Sequence, residues 1–281
     1  MNIDLLEYKK NIFSQNGEDG IIEKIFDLIG TRNKVCCEFG AWDGIHFCNI
    51  RNLIINKGWH GVLIEGDKKR CSNIEDNYRG YDIYTINSFV DTINNKLSNI
   101  LQKYTNIRDM NIDFLSIDID GLDYEIFETL DILPNVICIE VNAGHHPNNH
   151  NRIEKNIAKY NIGQPLKVFS DIAKNKGYSL ACYSGNAFYI RDSLFANGKL
   201  EPINDEKAYC DFLNHLTKKE KEWLFLVNIG NVPPYYKYEN SFLNKDNLNY
   251  TYIRQLKIIY QNIFKNMIKS IVSSIKQLLR V

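Results

Sequence analysis

Val35-Cys36-Cys37-Glu38-Phe39-Gly40-Ala41-Trp42-Asp43-Gly44 is an apolar run that ends in a carboxylate and passes into a glycine-bracketed turn. The amphipathic segment His46 to Lys57 follows, so the succession reads as strand, turn and helix. An echo comes at Gly61-Val62-Leu63-Ile64-Glu65-Gly66-Asp67, a second short apolar run closed by an acid. In a right-handed βαβ unit the two strands lie side by side. Glu38 and Glu65 then arrive at their carboxyl ends, where a parallel sheet opens a crevice for a ligand. The pattern predicts a nucleoside pocket.

The missing glycines narrow the ligand. A dinucleotide site needs G-x-G-x-x-G, whose second glycine lets the backbone approach a pyrophosphate. Here Trp42 holds that middle place and the spacing runs from Gly40 to Gly44, so no close approach by a phosphate is provided. A nucleoside without phosphates fits better, and S-adenosylmethionine is such a ligand. Glu65 is expected to take its two ribose hydroxyls through charge-assisted hydrogen bonds. Glu38 and the Gly40 turn are expected to face its methionine end.

The rest of the chain continues the alternation. Glu18 to Ile29 carries a helical stripe that Gly30 ends. Lys68 to Asn77 reads as a polar helix, Asp82 to Ile86 as a third strand and Ser88 to Lys103 as a helix. Ile112 to Asp118 reads as the fourth strand, Leu122 to Leu130 as a helix and Pro134 to Val141 as the fifth strand. A long polar insertion, Asn142 to Gly163, follows at the carboxyl end of that strand, where its length argues for function. Gln164 to Lys176 is helical, and Tyr178 to Tyr183 with Asn186 to Ile190 forms a hairpin about Ser184-Gly185. Beyond Arg191, Asp205 to Glu222 looks helical, Trp223 to Tyr250 is aromatic and irregular, and a last helix closes the chain.

Several spaced motifs carry a family resemblance. They are Phe13-Ser14-Gln15-Asn16-Gly17-Glu18-Asp19-Gly20, Glu38 to Gly44, Asn49 to Asn52, Lys57-Gly58-Trp59-His60-Gly61-Val62-Leu63-Ile64-Glu65, and Asp113-Phe114-Leu115-Ser116-Ile117-Asp118-Ile119-Asp120-Gly121. Over roughly residues 12 to 142 the chain resembles the FkbM-like group of S-adenosylmethionine-dependent methyltransferases. The resemblance implies an α/β, Rossmann-like class I methyltransferase sheet, mostly parallel with an antiparallel last strand and flanked by helices. It implies a cofactor domain over residues 1–200, with 1–33 as a lid segment, and a helical C-terminal extension over 201–281. Contacts to the cofactor are then expected from Gln15 in the lid and from Glu38, Gly40, Ala41, Asp43 and Gly44 in the first turn. Further contacts are expected from Asn49, Glu65 and Asp118, with Asn87 and Ser88 beside the adenine. Solvated capping is the alternative for the acids and amides just ahead of the first helix.

Methyl transfer from a sulfonium neutralises charge, so the protein has mainly to align the acceptor and remove its proton. Asp118, Glu140 and Asn142 lie at neighbouring strand ends and form a candidate set for a hard divalent cation such as Mg or Mn. The set resembles the metal site of catechol-type O-methyltransferases, where the ion lowers a hydroxyl's pKa. Asp120 shares a strand face with Asp118 if both lie on the strand, and is a candidate catalytic acid; otherwise it caps the next helix. His145 is the candidate general base, with His146 and His150 as solvated neighbours. Tyr183, Asn186 and the aromatic stretch Trp223 to Tyr238 are candidates for an acceptor wall.

Composition sets bounds. The chain has 281 residues, with 34 basic and 34 acidic side chains, so no overall nucleic-acid footprint is implied. The balance hides an asymmetry: between Thr251 and Val281 stand Arg254, Lys257, Lys265, Lys269, Lys276 and Arg280 with no acid. Leu256, Ile259, Ile263, Met267, Ile271, Ile275 and Leu278 form one stripe among them. This basic amphipathic helix is expected either to pack or pair as a homodimer, or to lie on an anionic inner-membrane surface. The cysteine count is odd, seven without a C-x-x-C pair, which argues for reduced thiols. Asp4 and Glu7 precede any apolar run, so no signal peptide is expected and a cytoplasmic location is.

The acceptor class follows from the resemblance alone: a sugar, or a nucleotide- or phosphoryl-linked precursor of a surface glycan of capsule or lipopolysaccharide type. Two other functions compete. Asp118-x-Asp120 also matches the metal and nucleotide-sugar motif of glycosyltransferases, and the last helix suits a non-catalytic membrane-peripheral scaffold. The Glu38 loop with Glu65 one βαβ unit later separates the first reading from the glycosyltransferase.

Overall fold

A computed structural model gives the fold and describes residues 3–107, 112–119, 121–143, 145, 147–152 and 163–217. Among these, seven strands form one sheet: β1 (Val35–Phe39), β2 (His60–Glu65), β3 (Ile83–Asn87), β4 (Phe114–Ile117), β5 (Val136–Glu140), β6 (Tyr178–Tyr183) and β7 (Asn186–Arg191). Their spatial order is β3-β2-β1-β4-β5-β7-β6. The first five strands are parallel, and β7 runs antiparallel to both β5 and β6. The expected Rossmann-like sheet with its antiparallel close is therefore what the chain builds. Strand order reverses between β1 and β4, which is where an open parallel sheet parts its loops and leaves a crevice at the carboxyl edge.

Seven α-helices connect and cover the sheet: α1 (Glu18–Ile29), α2 (Arg51–Lys57), α3 (Lys68–Asn77), α4 (Leu97–Tyr104), α5 (Asp123–Thr129), α6 (Leu166–Asn175) and α7 (Asp205–His215), counted among the described residues. The central strands are apolar on both faces because helices cover both, so they read as continuous hydrophobic runs rather than alternating ones. Phe26 of α1 meets the edges of Trp59 at 4.8 Å and Phe114 at 6.3 Å. Phe127 of α5 stacks on Tyr189 at 5.9 Å and lies 6.2 Å from Phe169 of α6. Tyr209 and Phe212 of α7 pack on Tyr183 at 5.9 and 4.8 Å, which joins that helix to the β6 side of the core.

Two helices start later than the sequence pattern predicts, for one physical reason. The helix expected from Ser88 begins at Leu97, because Asp91 accepts the backbone N–H groups of Ile93, Asn94 and Asn95 and so closes a turn of its own. The helix expected from His46 begins at Arg51, because the preceding N–H groups go to side chains: Ile45 and His46 donate to Asp43, and Asn49 donates to Glu38. The opening residues hold a 3-10 turn at Leu5–Tyr8 with Leu5 and Leu6 buried. The aromatic stretch Trp223 to Tyr250 and the basic last helix lie outside the described residues.

Candidate functional site

β2 ends on Glu65, and its register with Ile64 opposite Phe39 and Glu65 opposite Asn87 puts this acid among three strand tips. Glu65 is 7% exposed. Its Oε2 accepts the Trp42 N–H at 2.9 Å, its Oε1 accepts the Asp67 N–H at 2.9 Å, and the Arg70 guanidinium stands 3.8 Å from Oε1. The carboxylate thus bridges the turns that follow β1 and β2, and each oxygen keeps lone-pair capacity for a further donor. Asn87 donates to the Glu65 and Gly66 carbonyls, and the Ser88 N–H donates to the Glu65 carbonyl, so the tip of β3 is fastened to the same turn.

Two exposed aromatic rings flank this acid. Trp42 has a left-handed backbone, φ 51°, which a bulky residue adopts only under constraint. Its ring is 54% exposed with the Arg70 guanidinium 3.7 Å above it. Phe89 is 74% exposed, and its ring leans on Gly66, where any Cβ would run into it.

The tip of β1 is arranged differently from the expectation that Glu38 faces the ligand. Glu38 is buried, accepting the Cys48 thiol at 2.7 Å and the Asn49 N–H at 3.0 Å. Asn49 in turn donates to Ser116 Oγ at 3.0 Å. Burial pushes the Glu38 carboxyl above its ordinary range, against the hydrogen bonds from Cys48, Asn49 and Ser116, and the charge of Asp19 adds to the rise. Gly40 (φ 76°) is required where it stands, since a Cβ would strike the Asp118 carbonyl of the adjacent strand tip. The Gly40 and Ala41 N–H groups donate to the Ile64 carbonyl, and Ala41 is buried. Burial would raise Asp43, but the His46 and Ile45 N–H groups and the His46 ring hold it below its ordinary value. The Gly44 carbonyl accepts from Arg51 and from the Tyr78 hydroxyl. Glu38, Asp43, Gly44 and Asn49 are therefore engaged in shaping the loop that presents Trp42.

The first turn of α1 buries two acids that the motifs did not single out. Glu18 is fully buried, accepting the Asn16 N–H at 2.6 Å and the Asn186 amide at 2.9 Å. Burial raises its pKa against those hydrogen bonds. Asp19 gathers the backbone of residues 12–14 onto one carboxylate oxygen. Gln15 is exposed, and its carbonyl accepts from Asn11. The sequence signal for Glu18 and Asp19 was present: two acids directly ahead of an apolar stripe, at a glycine of φ 94°. It read equally well as solvated capping.

At the far side of the crevice, Ile117 pairs with Ile139, so Asp118 and Glu140 are the next residues on adjacent strands, and both are exposed. Asn142 is half-buried, with its N–H on the Gln164 carbonyl. Among the described residues no group of three or more His, Cys, Asp and Glu side chains gathers to hold a metal ion. Asp120 and His146 lie outside the described residues. His145 is half-buried, its Nε2 has no hydrogen-bond partner among the described residues, and burial holds its pKa below that of an ordinary imidazole. His150 instead pairs with Asp171 of α6 at 2.8 Å, on the surface. Tyr183 is buried beneath α7, and Asn186 is turned to Glu18.

No family model matches this chain, and no curated protein does. Solved structures resemble it in fold. An S-adenosylmethionine-dependent methyltransferase from Clostridium acetobutylicum ATCC 824 is 11% identical, with a TM-score of 0.40 over 67% of this chain and 91% of that one. An O-methyltransferase from Bacillus cereus, in complex with SAH, is 16% identical with a TM-score of 0.39 over 66% and 85%. A SAM-dependent methyltransferase from Aquifex aeolicus is 12% identical with a TM-score of 0.36 over 67% and 97%. Identities this low speak to fold alone, and superpositions this loose carry nothing about chemistry. Every free cysteine of the described residues except Cys210 is buried, and no described helix is long and apolar enough to cross a membrane.

Proposed function

We propose that this chain is an S-adenosylmethionine-dependent O-methyltransferase, acting on a hydroxyl of a sugar or of a nucleotide- or phosphoryl-linked glycan precursor. One observation carries the cofactor half. A carboxylate with spare acceptor capacity sits at the tip of β2, beside the sheet's reversal point, with exposed Trp42 and Phe89 on the adjoining turns and with no glycine cradle for a diphosphate. The glycan half rests on the resemblance of the motifs around Gln15, Glu38 and Asp118. Glu65 is the residue to hold the ribose hydroxyls, Phe89 and Trp42 to flank the nucleoside, and Asn87 and Ser88 to border the base.

When bound, the sulfonium supplies a methyl group already activated for displacement. The chain's own part would be to align the acceptor hydroxyl with that methyl group and to take up its proton. His145 Nε2 is the base on this reading, since it is buried, unpartnered among the described residues and neutral at working pH. His145→Ala is expected to lower kcat by about 10²- to 10⁴-fold and leave S-adenosylhomocysteine affinity unchanged. Because burial lowers the imidazole pKa, its basic form persists into mild acid. The acid limb of the kcat/KM profile therefore falls below the ordinary imidazole value of about 6.5. A limb above that value, or an Ala variant of full activity, removes His145 from the chemistry. No divalent ion is assigned a part.

The reading is tested by thermal denaturation with S-adenosylhomocysteine, uridine diphosphate and cytidine diphosphate, each with and without magnesium or manganese. S-adenosylhomocysteine at a hundredfold excess over its Kd adds about 2.7 kcal/mol, a rise of roughly 5–10 °C for a domain of this size. Stabilisation by a nucleoside diphosphate only when metal is present, with none from S-adenosylhomocysteine, would make the protein a nucleotide-sugar enzyme instead.

A further inference from the structure

Asp19 has an asymmetry that the fold does not account for. Its Oδ2 accepts the N–H groups of Ile12, Phe13 and Ser14 at 2.8, 2.7 and 2.8 Å and the Ser14 hydroxyl at 2.9 Å. Its Oδ1 is equally buried and has no hydrogen-bond partner among the described residues, in a side chain 1% exposed. A buried carboxylate oxygen without a donor is costly, and native structures that keep one commonly give it a ligand, ion or water to meet. The neighbouring acid is not in the same position, for both Glu18 oxygens accept amide hydrogens.

The place of Asp19 says which ligand group to expect. Its charge bears on Glu38 at the tip of β1, and Glu18 beside it reaches Asn186 at the start of β7, opposite Glu140 of β5. Asp19 therefore stands over the strand tips on the far side of β1 from Glu65. For a nucleoside gripped at Glu65, Asp19 is then the acid on the side of its 5′ substituent, with Glu38 turned inward to Cys48 and Asn49. A cation with several N–H donors is the complement of such an acid, offsetting charge as well as hydrogen bonding; a water would supply only the second.

We propose that Asp19 Oδ1 receives the ammonium group of an amino-acid tail on the bound nucleoside, so that the start of α1 recognises the tail and not merely the adenosine. This rests on the reading that the ligand is S-adenosylmethionine. It separates Asp19 from Glu65: one acid reads the amino acid and the other reads the ribose.

Calorimetric affinities for S-adenosylhomocysteine and for 5′-methylthioadenosine, which lacks the amino-acid tail, test it. Asp19→Asn is nearly isosteric: its amide oxygen can still collect the N–H groups of residues 12–14 while its NH₂ replaces the open acceptor with a donor. The variant is expected to bind S-adenosylhomocysteine at least tenfold more weakly than the wild type and methylthioadenosine equally well. Equal losses for both ligands, or no loss for either, would overturn the proposal. Should the variant fail to fold, the wild type is compared on S-adenosylhomocysteine and its deamino analogue. A tenfold or greater preference for the amine supports Asp19 as its receptor, and equal affinity overturns it. Wild type that binds methylthioadenosine but gains nothing from the tail sinks this proposal alone, whereas wild type that binds neither nucleoside sinks the cofactor reading with it.

Discussion

Glu65→Ala is expected to weaken S-adenosylhomocysteine binding by about 3–4 kcal/mol, on the order of 10²- to 10³-fold, since two charge-assisted hydrogen bonds to the ribose are lost in a nearly dry setting. The same side chain also receives the Trp42 and Asp67 N–H groups, so truncation frees two backbone donors and loosens both turns. Part of the affinity loss would then be structural. The 2′-deoxy analogue separates the two parts: it should bind the wild type roughly tenfold more weakly than the parent and bind Glu65→Ala no differently from it. Titration calorimetry on both proteins reads the cycle. An alanine variant of full affinity removes Glu65 from the site.

The largest effect on stability belongs to an acid at the opposite end of the sheet. Asp113, at the start of β4, is fully buried and accepts the N–H groups of Arg32, Asn33 and Lys34 and the Asn135 amide. These bonds fix the link from α1 into β1, in which Lys34 holds a left-handed backbone, φ 55°. Asp113→Ala is expected to destabilise the fold by about 3–4 kcal/mol, because several buried donors lose one charged acceptor together. Against a typical net stability of about 5–15 kcal/mol this is a large fraction. Urea denaturation should show a lower midpoint with an unchanged slope. The affinity of the folded fraction for S-adenosylhomocysteine should not move, and a tenfold loss there would assign Asp113 a part in the ligand site.

Glu65 and Asp113 also show what was legible beforehand. The parallel strands could be read from sequence because each is a run of four to six mostly apolar residues with polar residues at or just beyond its carboxyl end, and both faces are covered. Glu65, the terminal acid of such a run, takes the Trp42 and Asp67 N–H groups at the strand tips. Glu38 ends its run in the same way, yet its carboxylate turns inward to the Cys48 thiol and the Asn49 N–H. Nothing in a strand's periodicity says whether its last acid meets ligand or loop, since that depends on which backbone N–H groups the next ten residues leave open. The late helix starts at Leu97 and Arg51 have the same origin: Asp91, Asp43 and Glu38 take N–H groups that helical periodicity assigns to the helix. Gln15 was a natural candidate in the leading segment, but it lies exposed while its neighbours Glu18 and Asp19 are buried. Burial of consecutive acids is a tertiary fact, created when Asn186 arrives from a distant part of the chain.

The central claim is that a phosphate-free adenosine lies at the tips of β1 and β2. Crystals of the protein grown with S-adenosylhomocysteine test it most directly. The account predicts both ribose hydroxyls within about 3 Å of the Glu65 carboxylate, with the base against Phe89. Density for the nucleoside anywhere else, or none at saturating ligand, would contradict it.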